Sequence, residues 1–75
     1  MNKIEFLANF AEQFEDTDPN EIQFETKFHD LEEWSSLVGM MLIAMAKVSY
    51  DKVISGEELK KCITVEDVYN LINSK

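Results

Sequence analysis

A chain of 75 residues with 45% hydrophobic and 29% charged side chains has the make-up of one small globular domain, residues 1–75, and is too short for a second core. Its net charge of −8 is unevenly spread: residues 1–33 hold ten acids against Lys3 and Lys27, whereas residues 34–75 hold five acids and five lysines. Such a field repels nucleic acid and anionic lipid, no arginine is present to read phosphates or guanines, and the longest apolar run, about ten residues, is half a membrane span. With a single cysteine, Cys62, and no basic and apolar leader pattern at the start, the expected location is cytoplasmic.

Residues 3–15 carry Ile4, Leu7, Phe10, Ala11 and Phe14 at helical spacing, with acids and amides elsewhere on the wheel. They predict an amphipathic helix that stops near Glu15, because Asp16-Thr17-Asp18-Pro19-Asn20 is a turn sequence and the residue before a proline leaves the helical region. From Asp16 to Trp34 neither helical nor strand periodicity is sustained. Ile22, Phe24, Phe28, Leu31 and Trp34 recur through that stretch as apolar anchors for a long loop that travels back along the bundle. Asp16-x-Asp18-x-Asn20 opens like a calcium loop, yet Glu21 stands where the sharp turn needs glycine and Lys27 where the bidentate glutamate belongs. No calcium-binding hand is expected there.

A second helix is predicted over 36–50, apolar almost all the way round from Leu37 to Val48, so that part of its surface must face something other than a one-sided core. Ser35 is placed to cap it, which puts Ser36 at the first helical position. Ser55-Gly56-Glu57-Glu58 reads as a capping box opening a short helix that ends about Lys61. Thr64-Val65-Glu66-Asp67 repeats the signal and starts a last helix with Val65, Val68, Tyr69 and Ile72 on one stripe. The expected fold is all-α: a bundle of three main helices and one short one, with a long loop between helices one and two.

Glu33-Trp34-Ser35-Ser36-Leu37 gathers acids, an indole and two hydroxyls at the head of the oiliest helix. A helix start leaves backbone N–H groups unpaired and tolerates a phosphoryl group. Both serines as plain caps is the bland alternative. Ser35-Ser36-Leu37 at the head of an apolar helix midway along an acidic chain resembles the Asp-Ser-Leu modification motif of acyl carrier proteins. The likeness extends to Val53-Ile54-Ser55-Gly56-Glu57-Glu58-Leu59 and Thr64-Val65-Glu66-Asp67-Val68, similar to that family's third helix and the entry to its fourth.

The resemblance implies a free-standing, monomeric acyl-carrier-protein-like bundle that is not an enzyme. A phosphopantetheinyl transferase attaches phosphopantetheine from coenzyme A to Ser36, making the chain a phosphoprotein. The arm then carries acyl thioesters to the acyl-transfer, condensing and reducing enzymes of fatty acid biosynthesis or related lipid metabolism. With the family's acidic docking face absent from helix two, Asp30, Glu32 and Glu33 are expected to supply the charged part of partner docking and Leu37, Val38 and Met41 the apolar part, while Met40, Ile43, Ala44, Met45 and Leu59 are the implied acyl groove. Methionines such as Met40, Met41 and Met45 on one helix are more often plain core, and become an expandable lining only if a chain slides between the helices. Two departures stand out: Ser35 replaces the usual Asp, and helix two carries no acid and one Lys47 where the family docks partners through acids. The alternatives are a peptidyl or polyketide carrier, or an acidic helical interaction domain that is never modified. Trp34 is expected to anchor the loop, His29 to be a loop histidine and Cys62 a small core thiol.

Overall fold

The computed structural model describes residues 2–75. Their helices are α1 (Lys3–Glu12), α2 (Ser36–Tyr50), the short α3 (Gly56–Lys61) and α4 (Val65–Asn73), with 3-10 turns at Pro19–Glu21 and Phe28–Asp30 inside the long loop. Among the described residues there is no β-strand, only an isolated bridge between Lys27 and Thr64. The all-α expectation holds, and among the described residues no helix is long and apolar enough to cross a membrane.

Helix α1 is opened by Asn2, whose side chain accepts the Glu5 N–H at 3.0 Å. It ends at Glu12, one turn before the expected stop. Past it the chain continues in single turns, with the Phe14 N–H on the Ala11 carbonyl and the Thr17 N–H on the Phe14 carbonyl, so Phe14 still reaches the core. The buried face also differs from the sequence expectation. Phe6, Phe10 and Ala11 point inward, Leu7 is half-buried and Ile4 is 81% exposed. Phe6 wins the inward position because its ring meets Tyr69 at 5.3 Å and Tyr50 at 5.8 Å, aromatic partners that lie far off in sequence.

The long loop is held by its anchors and by main-chain bonds. Ile22 and Phe28 are fully buried, while Phe24, Leu31 and Trp34 pack on the core from its edge. Burial of a ring such as Phe28 contributes roughly 1.5–3 kcal/mol. The Val65 N–H donates to the Thr26 carbonyl at 3.2 Å and the Glu66 N–H to the Phe24 carbonyl at 3.0 Å, so loop carbonyls satisfy donors that the first turn of α4 leaves open. Lys3 spans the same seam: its Nζ pairs with Glu66 at 3.4 Å and lies 4.7 Å from the Phe24 ring.

Helix α2 resolves its all-round apolarity into two faces. Val38, Leu42, Met45 and Ala46 are buried, whereas Leu37, Met40, Ala44 and Val48 are exposed on the other side. It closes on Asp51 in the left-handed region, φ 54°, with the Asp51 N–H on the Lys47 carbonyl. Both capping boxes form as read: Ser55 with Glu58 at α3, and Thr64 with Asp67 at α4. In the second, Asp67 also accepts the Ile63 N–H at 2.9 Å.

Candidate functional site

The loop delivers Trp34 and Ser35 to the head of α2. Ser35 is extended, and its Oγ accepts the Val38 N–H at 3.3 Å, which fixes it as the cap. That leaves Ser36 in the first helical position, exposed, with no hydrogen-bond partner for its hydroxyl among the described residues. A primary hydroxyl free of internal bonds and open to solvent is what a modifying enzyme needs to reach. Among the described residues no imidazole or carboxylate bonds to it.

Ser36 opens onto a groove of about 350 Å³ between α2 and α3. On the α2 side Gly39, Met40 and Ile43 follow Ser36 at successive helical spacings; on the α3 side stand Gly56, Leu59 and Lys60. His29 and Trp34 close the third side. The His29 ring packs 4.3 Å from Phe28 and 4.5 Å from Trp34, and its Nε2 lies 3.4 Å from the Leu59 carbonyl, so the loop histidine joins the loop to α3. The lining is mostly apolar. Lys60, which forms no ion pair among the described residues, adds one cation at the lip.

Of the implied groove residues, the structure brings Met40, Ile43 and Leu59 together beside Ser36. It does not bring Ala44, which faces solvent outside the groove, or Met45, which is buried in the core on the opposite side of α2. The helical period explains both, since the groove face runs through positions 36, 39, 40 and 43. His29, Trp34, Gly39, Gly56 and Lys60 were missed as groove residues. Gly39 was the available signal: a glycine inside a strongly apolar helix marks a close approach, and a β-carbon there would lie 3.3 Å from the Trp34 indole.

Of the implied docking residues, Asp30 and Glu32 are exposed ahead of α2, Leu37 is exposed and Met41 half-buried. Val38 is buried among core side chains and offers a partner no surface, which corrects its placement in the docking set. Glu33 is engaged within the chain: its Oε1 accepts the Thr17 hydroxyl at 2.7 Å and the Asp16 N–H at 3.0 Å. The Thr17 hydrogen bond, opposed in part by desolvation, holds the Glu33 carboxyl below its ordinary value.

Glu33 lies on one side of a second depression, also about 350 Å³, lined by Asp16, Glu21, Leu31 and Glu32. Among the described residues no three His, Cys, Asp or Glu side chains converge closely enough to hold a metal ion. Asp18 instead accepts the Asn20 N–H at 2.9 Å and starts the Pro19–Glu21 turn. Cys62 is buried, and that burial, with Asp67 and Glu58 nearby, pushes its thiol up.

Comparison of the chain with family models, with curated proteins and with solved structures found no match.

Proposed function

We propose that this protein is an acyl carrier, a scaffold that holds acyl groups as thioesters on a phosphopantetheine arm joined to Ser36 and presents them to biosynthetic enzymes. The observation that carries the reading is the exposed, unpartnered hydroxyl of Ser36 at the mouth of an apolar groove. The transferase forms a bond between the Ser36 oxygen and the phosphorus of the pantetheine phosphate, breaks the diphosphate of coenzyme A, and releases adenosine 3′,5′-bisphosphate. Phosphopantetheine supplies the terminal thiol on which the acyl group rides.

The chain's own residues do three things in this reading. Ser35 caps α2 and so fixes where the Ser36 hydroxyl stands. The walls of the groove shelter hydrocarbon, at roughly 0.8 kcal/mol for each CH₂ buried, less the cost of parting α2 from α3. Tethering raises the effective concentration of cargo at the partner enzymes. Those partners meet Asp30 and Glu32 ahead of the serine and an uncharged stretch of α2 beside it, with Leu37 standing out.

The test is intact mass after incubation with coenzyme A, Mg²⁺ and a broad-specificity phosphopantetheinyl transferase. Wild type and Ser35→Ala are expected to gain one phosphopantetheine, and Ser36→Ala none. No gain in wild type returns the protein to the second reading, an acidic interaction domain, favoured by the depression between Asp16, Glu21 and Glu32.

A further inference from the structure

The groove has one wall that yields and one that does not. Met40 is 66% exposed on an unbranched thioether chain and has open solvent to swing into. Trp34 has no such freedom. Its indole lies across Gly39, where a β-carbon would meet Cη2 at 3.3 Å and Cζ2 at 3.6 Å. Against it pack the His29 ring at 4.5 Å, itself part of the groove wall, and, away from the groove, the Phe28 ring at 5.3 Å. Phe28 is fully buried and itself abuts Phe10 at 5.5 Å, while His29 is tied to α3 through the Leu59 carbonyl. The indole is thus wedged between a helix backbone and a stack of rings anchored in the core.

Gly39 fits this arrangement. A glycine within a helix is destabilising relative to alanine, and here the indole closes on the space left by its missing side chain. The consequence is that Trp34 separates the groove from the aromatic core. On one side of it lie Met40, Ile43 and Leu59; on the other lie Phe28 and Phe10.

We infer that Trp34 is the end stop of the groove and sets the longest straight hydrocarbon chain it shelters, an assignment that rests on the carrier reading above. A chain enters by displacing the Met40 side chain and advances until it meets the indole. Further methylenes stay in water and add no protection. Chains branched or aromatic at their far end meet the indole sooner than straight ones.

The experiment loads the full chain with acyl groups from butyryl to myristoyl and follows melting temperature against chain length. In wild type the melting temperature is expected to rise with each added methylene and then level off. In Trp34→Ala, where the groove runs on toward Phe28, the plateau moves to longer chains. In Gly39→Ala, whose added methyl meets both the indole and Leu59 Cδ2, the plateau comes at shorter chains. Emission of Trp34, the one tryptophan of the chain, shifts in wild type as the plateau is reached.

A common plateau in all three proteins, with no change in emission, overturns the assignment. Should Trp34→Ala fail to fold, Trp34→Phe, which shortens the stop without removing it, takes its place with the same expected direction. If Ser36 accepts no arm, the same three proteins are titrated with free straight-chain fatty acids. There the same ordering of plateaus upholds the stop although the carrier reading has fallen, and a common plateau overturns it. If the arm is accepted and the three plateaus coincide, the carrier reading stands and the stop does not.

Discussion

The Thr17 hydroxyl donates a 2.7 Å hydrogen bond to the Glu33 carboxylate, and through it the start of the long loop is clasped to the segment that leads into Ser36. The bond favours the ionised acid, so the folded pKa lies below the ordinary value of 4.5. A depressed carboxylate adds stability above its unfolded pKa and loses it as pH falls through the folded one. Glu58, held down first by its hydrogen bond to Lys75, and Asp67, by the Thr64 and Ile63 N–H groups, share that sign. Thermal melts of wild type and Glu33→Gln are expected to differ at pH 6 and to converge by pH 3. A gap that persists at pH 3 would show that the clasp does not depend on charge.

The two serines are expected to separate cleanly. Ser35→Ala removes the acceptor for the Val38 N–H and should cost about 1 kcal/mol. Ser36→Ala, at an exposed position without a hydrogen bond, should stay within about 0.5 kcal/mol of wild type. Denaturant melts measure both. Combined with the mass assay, the pair gives one variant that loses stability and keeps the arm, and one that does the reverse.

Asp51 ends α2 with φ 54°, a conformation that costs an L residue roughly 1–2 kcal/mol, less for Asp than for most. Asp51→Gly relieves that cost but loosens the unfolded chain and removes the 3.0 Å pair with Lys47. Both ends of that pair are largely exposed, so it contributes only about 0.3–0.5 kcal/mol. The terms nearly cancel, so Tm is expected to move by no more than about two degrees in Asp51→Gly, where strain relief alone would raise it by several. Lys47→Met, which deletes the pair alone, should lower Tm slightly.

Cys62 is buried with its thiol pKa raised, and it should resist thiol reagents in the folded protein at pH 8. Native titration of the unmodified protein is therefore expected to find almost no reactive thiol. After arm attachment it should find one, and in denaturant two. Rapid labelling of the unmodified native protein would place Cys62 at the surface.

What the sequence made legible was local. The capping pairs Ser55–Glu58 and Thr64–Asp67 act over three residues, and Ser35 ahead of an apolar run is a start signal needing no tertiary context. The rotation of each helix about its own axis was harder to read. α1 has Ile4, Phe6, Leu7, Phe10 and Ala11 on more than one side, and only the distant rings of Tyr50 and Tyr69 select Phe6 over Ile4. α2 is apolar all round, so nothing in its spacing distinguishes Val38 in the core from Met40 in the groove. The groove's third wall escaped for the same reason, because His29 and Trp34 meet Leu59 and Gly39 only once the loop is folded back.

The loop's main-chain bonds to the start of α4 bear on the order in which the molecule assembles. Thr26 and Phe24 find their donors in Val65 and Glu66, about forty residues later, so this seam cannot close on a growing chain until the fourth helix has been made. Long-range closures of this kind come late and slow folding. Helices α1 and α2 can pair beforehand, but the loop that leads into the head of α2 is fastened along its length only after α4 docks. A transferase that reads the finished surface would in that case modify folded chains and pass over nascent ones.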